Sequence, residues 1–166
     1  MRYIKLAIIS LVFFFLLFTL ISLFIPSRVR VMRETAIVGS RQEIVEQLGK
    51  PVNWKNWLPV KDTAAFIYEN GLILGIKPDS THSIILTGQN DSTITALYMG
   101  ASGRQSMMGW HVTASNHPGH LMVQWWMEFR LRWYPWEKFS SLIFEKQYGI
   151  FLETGLKRLK GFVEDN

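Results

Sequence analysis

Twenty consecutive uncharged residues, Leu6 to Ile25 (LAIISLVFFFLLFTLISLFI), begin the hydropathy pattern. At ~1.5 Å rise per residue such a run spans the ~30 Å hydrocarbon core of a bilayer as one helix. Beyond it, Val29 to Val38 partly alternates, with Val29, Val31, Thr35 and Ile37 on one parity, which predicts a half-buried strand. Gly39-Ser40 breaks the alternation. Ser40 is a good N-cap with Glu43 at the third position after it, a capping box. Ile44, Val45 and Leu48 then mark the apolar side of a short helix ending near Gly49. Pro51 stops or restarts the chain, and Val52 to Trp57 reads as a second short helical turn closed by Pro59.

A long stretch of strand signals follows. Ala64 to Glu69 and Leu72 to Lys77 flank Asn70-Gly71, a strong two-residue hairpin signal. Further runs are Thr81 to Thr87, Ser92 to Met99, Ser106 to Ala114 and His120 to Trp133, separated by the turn sequences GQND, GASGR and SNHPG. Short links predict an antiparallel meander and not parallel crossovers. In the last run Leu121, Val123, Trp125, Met127, Phe129 and Leu131 share one face. After Tyr134-Pro135 the period changes, and Phe139, Leu142, Ile143, Ile150, Leu156, Leu159 and Val163 predict one side of a helix reaching about Glu164.

Charge sharpens the reading of the first segment. Arg2 and Lys5 precede the apolar run; Pro26, Arg28, Arg30 and Arg33 follow it. A cleaved signal peptide has a shorter apolar region and a small-x-small cleavage site. Leu23-Phe24-Ile25-Pro26-Ser27 offers no such site, so an uncleaved anchor is the expectation and a signal peptide the alternative. Basic residues on both flanks leave the orientation open, with a slight local bias toward a cytoplasmic C-terminal side. Removing Arg2 and Lys5 from the 18 basic residues leaves 16 against 13 acidic ones. That excess is compatible with anionic headgroups, but without clustering it argues against nucleic acid. The absence of cysteine excludes disulfides, zinc–thiolate sites and cysteine nucleophiles. Aromatic residues make up 14% of the chain, 7 of them Trp, which argues for a folded body and not disorder.

Two segments resemble the START-like superfamily, also described as the polyketide cyclase/dehydrase and lipid transport (SRPBCC) family. Glu43-Ile44-Val45 through Asn53-Trp54-Lys55-Asn56-Trp57-Leu58-Pro59 looks like that family's helix leading into an N-W-x-x-W-x-P turn. Phe144 to Glu164, with Tyr148-Gly149, Leu152-Glu153 and Gly155-Leu156-Lys157-Arg158-Leu159-Lys160, looks like its closing helix. The glycine-punctuated second and third strands of the family have no clear match between Lys61 and Asn90. The resemblance implies an α+β helix-grip fold, a curved antiparallel sheet of about six to seven strands around a long C-terminal helix. Residues 1–26 would form the transmembrane anchor and residues 27–166 the START-like domain. Anchored bacterial members of the family imply a single-pass inner-membrane protein with an extracytoplasmic domain.

The fold so implied encloses an apolar cavity, for which the candidates are Trp54, Trp57, Trp125, Met127, Phe129, Leu131, Ile143, Ile150 and Leu156; plain core is the competing account of each. The expected function is a membrane-tethered, non-catalytic module that binds a hydrophobic small molecule or lipid. One alternative is a structural or regulatory subunit of a membrane complex, with Trp126, Trp133 and Trp136 as the partner surface. Another is a cyclase- or hydratase-like enzyme using Glu128, Tyr68, Tyr98 or His111. His111 facing Glu128 across adjacent strands would make a general base, though an ordinary polar pair is the simpler account. His117-Pro118-Gly119-His120 reads as a turn rather than a metal pair, and Gly100 to Gly103 lacks the Lys-Ser/Thr and helix of a phosphate loop. No catalytic residue, metal or cofactor is expected. Arg130, Arg132, Lys138, Lys157, Arg158 and Lys160 suit either lipid headgroups or a solvated face.

Overall fold

The computed structural model describes residues 2–61 and 63–165. Helix α1 (Arg2–Ser22) is long and apolar enough to cross a membrane, and none of its apolar window is buried in protein. It begins four residues before the uncharged run and ends three before it does. Leu23, Phe24 and Ile25 instead make tight bonds to the carbonyls three residues back. Pro26 is the reason, since it disfavours helical backbone in the residue before it.

Seven strands form one antiparallel sheet in the order β1-β7-β6-β5-β4-β3-β2. They are β1 (Arg28–Val38), β2 (Ala65–Glu69), β3 (Leu72–Lys77), β4 (Ser83–Gln89), β5 (Thr93–Met99), β6 (Gln105–Ala114) and β7 (His120–Arg130). The six-strand meander is as its turn chemistry predicts. Asn70 and Gly71 both have positive φ (50° and 79°), the backbone of a two-residue hairpin turn. Strand β1 returns beside β7 in unbroken register, from Arg28 opposite Arg130 to Val38 opposite His120. Irregular pairing near Ile67/Tyr68 and Leu86/Gly88 supplies the local bends that let the sheet curve.

Between β1 and β2 lie α2 (Arg41–Gly49), a 3-10 turn (Pro51–Asn53) and α3 (Trp54–Trp57). The Ser40 hydroxyl accepts from the Glu43 N–H as the capping pattern predicts. After β7 come α4 (Pro135–Ser140), a 3-10 turn (Ser141–Ile143) and α5 (Phe144–Glu164), which lies along β1 and β7. The inward face of the sheet follows the predicted parity: Val31, Met127, Met108 and Ala96 are register neighbours and fully buried, as are Trp125, Trp110 and Ile94.

The helix phase differs from the expected one. Gly149, Leu152, Gly155, Leu156, Leu159 and Val163 face inward, whereas Ile143 and Ile150 are 59% and 62% exposed. Ile150 is two residues from Leu152, ~200° around the helix, so both cannot face the sheet. A Cβ on Gly155 would run into the Trp125 ring; glycine there lets the backbone come down onto the sheet. The 3-10 turn before α5 breaks the expected continuous helix and takes Leu142 and Ile143 off the inward stripe.

Candidate functional site

Four tryptophans occupy the deep interior between α5 and the sheet. Trp54 and Trp57 come from α3, Trp110 from β6 and Trp125 from β7, and all are fully buried. Their ring centroids lie 5.4–5.9 Å apart in a connected cluster that Phe151 joins at 5.3 Å. The indole N–H of Trp54 donates to the Leu48 carbonyl at 2.8 Å and that of Trp57 to the Gln47 carbonyl at 3.3 Å. These bonds tie α3 to the last turn of α2. The indole nitrogens of Trp110 and Trp125 are buried without an acceptor. Each such donor costs about 1–3 kcal/mol.

Seven of the nine cavity candidates are core: Trp54, Trp57, Trp125 and Met127 are fully buried, with Leu156, Phe129 and Leu131 at 2%, 3% and 8%. Ile143 and Ile150 lie on the outside. Among the concavities of the domain, one of ≈460 Å³ is a charged groove between β1 and α5 that Leu156 reaches beside Arg33, Glu153 and Lys160, and a smaller, more apolar recess of ≈210 Å³ is lined by Pro59, Lys61, Pro78, Asp79, His82, Tyr98 and Phe151. This recess lies at the end of the sheet where Ser83 pairs with Met99 and Met99 with Gln105. Through β6 and β7 that end continues to Arg130 and Arg28, where the chain arrives from α1. A larger concavity along Ala7 to Leu16 is the open side of α1.

The turn before β4 builds the polar wall. Asp79 accepts from the Thr81 and His82 backbone N–H groups at 2.8 and 2.9 Å and from the Thr81 hydroxyl at 2.8 Å. Its carboxylate also sits 2.8 Å from His82 Nδ1. The Thr81 backbone bond, followed by the Thr81 hydroxyl and His82, holds the Asp79 carboxyl well below the usual carboxylate range. The His82 ring stacks on Tyr98 at 5.8 Å and 28°. Tyr98 meets Tyr148 edge-on at 6.2 Å, and Tyr148 packs on Phe129 at 4.5 Å. Burial pushes both phenols above their ordinary pKa, so both stay protonated donors. Sequence reasoning missed Asp79 and His82 as a pair. The available signal was a carboxylate and an imidazole three apart in the turn sequence Pro78-Asp79-Ser80-Thr81-His82.

The other suggested pairings are not assembled. His111 faces Gln124, and its Nδ1 is 2.9 Å from the Thr93 hydroxyl; Glu128 faces Met107, four positions further along β7. Tyr68 is 64% exposed on β2. His117 lies in the turn before β7 and His120 is the first residue of that strand, with their rings 6.0 Å apart, and among the described residues no group of three or more metal-ligating side chains comes together. Of the basic residues, Lys160, Arg158 and Lys138 donate to the backbone carbonyls of Ala36, Leu58 and Ile25, respectively. Arg130, Arg132 and Lys157 are exposed.

No protein-family model matches this sequence, and no curated protein matches it. Solved structures do. A START superfamily protein from Mycobacterium smegmatis superimposes with a TM-score of 0.58 at 14% identity, over 82% of this chain and 97% of that one. The protein XoxI from Bacillus cereus gives 0.58 at 16% identity, over 82% and 96%. CalU16 from Micromonospora echinospora gives 0.54 at 11% identity, over 82% of each chain. With the seven-stranded sheet gripping α5, these likenesses identify the fold of this chain as the START-like helix-grip.

Proposed function

We propose that the chain is a membrane-tethered binding module, with residues 1–26 as the anchor and residues 27–166 as a domain that takes a small apolar or aromatic molecule in the recess beside Tyr98. One observation carries this reading: the recess is at the end of the grip where the chain arrives from the apolar helix α1. A tether there raises the local concentration of any ligand that partitions into lipid. The volume of ≈210 Å³ lies below the ~300–1,000 Å³ of drug-sized sites. The ligand is therefore a ring or a short chain end, because the tryptophan cluster occupies the interior that a whole lipid would need. Tyr98 supplies a protonated hydroxyl for a carbonyl or ether oxygen, and the unpaired Trp125 donor lies behind Phe151.

The test uses the full chain in detergent micelles, screened by thermal shift against short apolar and aromatic compounds carrying one acceptor oxygen. A ligand at ~100 times its Kd stabilises by about 2.7 kcal/mol. Phe151→Trp, which fills the recess, is expected to abolish the shift. A shift that survives this substitution, or the absence of any shift in the parent chain, refutes the reading.

His82, oriented by Asp79 beside the recess, favours an enzyme as the second reading, with His82 as proton acceptor and Tyr98 as donor to the substrate oxygen. Under it, His82→Gln retains ligand binding and loses turnover.

A further inference from the structure

The side chains around α4 are turned the wrong way for a surface in water. Glu137 and Lys138 are 8% and 5% exposed and point into the protein. Glu137 accepts from Arg104 Nη2 at 2.6 Å and from the Arg132 backbone N–H at 2.8 Å. Lys138 Nζ donates to the Ile25 carbonyl at 2.6 Å and the Ser27 hydroxyl at 2.8 Å. Trp133, Trp136, Leu142 and Ile143, by contrast, are 63%, 62%, 66% and 59% exposed. A helix on a water-soluble protein shows the reverse arrangement. Tyr134 stacks on Trp136 at 4.8 Å and 6° and meets Trp133 at 4.9 Å with a 41° tilt, so the three rings form one contiguous face. A single exposed apolar residue needs no account, but a contiguous aromatic face does.

Continuity with α1 identifies what covers this face. The Phe139 ring is 6.0 Å from that of Phe18, which lies four residues, about 6 Å along the axis, before the end of α1. The two Lys138 bonds clamp the same junction from the other side. Whatever surrounds the last turn of α1 therefore surrounds α4. Trp and Tyr where an apolar span meets a polar body are the composition of a headgroup belt, and Leu142 and Ile143 beside them add apolar surface of the kind an interfacial helix buries.

We infer that the collar of Trp133, Tyr134, Trp136, Leu142 and Ile143 is seated in the headgroup boundary of the bilayer that α1 spans. The inference rests on the reading of α1 as a membrane anchor. It gives the domain a second attachment, so that it does not swing freely on the Pro26-Ser27 connection but holds the recess end toward lipid.

The chain has no cysteine, so single introduced cysteines report unambiguously. Nitroxide labels at Trp136→Cys and Leu142→Cys are compared with Phe14→Cys on α1 and Lys157→Cys on the exposed side of α5. The full-length protein is reconstituted alone into phosphatidylcholine nanodiscs. Accessibility to oxygen, which concentrates in lipid, is measured against a water-soluble nickel chelate. The collar labels are expected to fall between the two controls, with an oxygen-to-nickel collision ratio below that of Phe14→Cys near the middle of α1 and several-fold above that of Lys157→Cys, where nickel collisions dominate. A lipid-exposed label at position 14 with water-exposed labels at 136 and 142 overturns the collar and leaves the anchor standing. A water-exposed label at position 14 overturns the anchor and the collar with it. Collar labels shielded from both reagents indicate a protein surface, a second copy where spin–spin broadening accompanies the shielding, and likewise overturn the inference.

Discussion

Replacing Gly155 with alanine sets a methyl group against the Trp125 ring, and the sign of the stability change tests how closely α5 is pressed into the sheet. Within a helix, Gly→Ala ordinarily stabilises by roughly 1 kcal/mol by restricting the unfolded chain. At Gly155 the new Cβ overlaps Trp125 Cζ3, and it lies 3.0 Å from Cη2 and 3.4 Å from Pro59 Cδ. Trp125 is fully buried and held by Trp57, Trp110 and Phe151, so the ring has nowhere to swing. Overpacking of this kind costs about 1–3 kcal/mol. The overlap is severe enough to use the upper part of that range, for a net loss of about 1–2 kcal/mol. At Gly161, on the same helix, the nearest atom to a new Cβ is Asp165 Oδ2 at 4.0 Å. There the ordinary gain of roughly 0.5–1 kcal/mol is expected. Thermal unfolding of the full chain in detergent, followed by near-ultraviolet circular dichroism, reads both at ~3 °C per kcal/mol. Gly155→Ala should lower Tm by ~3–6 °C, and Gly161→Ala should raise it by ~1.5–3 °C. Trp125→Phe combined with Gly155→Ala should lose less than the sum of the two. Equal stabilisation by both alanines would refute the close approach of α5.

Two further outcomes are expected. Burial raises the Glu137 pKa, but the Arg132 N–H and the Arg104 guanidinium together outweigh it, so the folded-state value is depressed. Its contribution is present above the unfolded value of ~4.3 and is lost as pH falls toward the folded one. Tm of Glu137→Gln should therefore fall less steeply than that of the parent below about pH 4.5, and parallel acid limbs would show that the pair with Arg104 is not formed. Gly71→Val places a branched side chain at φ +79° in the β2–β3 turn and should cost about 1–2 kcal/mol by thermal unfolding. An unchanged Tm would mean that the turn has a different backbone.

The candidate site was legible only in part. Trp54, Trp57 and Trp125 were identifiable as inward-facing by parity and by the helical turn before Pro59. Whether they line a space or fill it depends on Trp110, which reaches them from β6 only when that strand pairs Trp110 with Trp125. The recess residues come from three separated places, Pro59 after α3, Pro78 to Tyr98 in the meander, and Phe151 on α5, and no local pattern links them. Ile150 is outside because α5 has apolar residues on more than one side and periodicity alone does not choose among them, and Ile143 because it belongs to the 3-10 turn that precedes α5.

Local rules were enough for the elements themselves. The apolar run of α1, the Ser40 cap, the Asn70-Gly71 hairpin and the alternation along β7 each depend on contacts within a few residues, and each is where the sequence places it. Tertiary structure decided three things. It brought β1 to β7 across the chain, it turned Gly155 and Leu156 inward in preference to Ile150, and it left the Trp133–Trp136 face outside with Glu137 and Lys138 inside. These are choices between alternative partners for the same surface. They are settled by shape at Trp125 and by the hydrogen bonds that Arg104, Ile25 and Ser27 offer from distant parts of the chain.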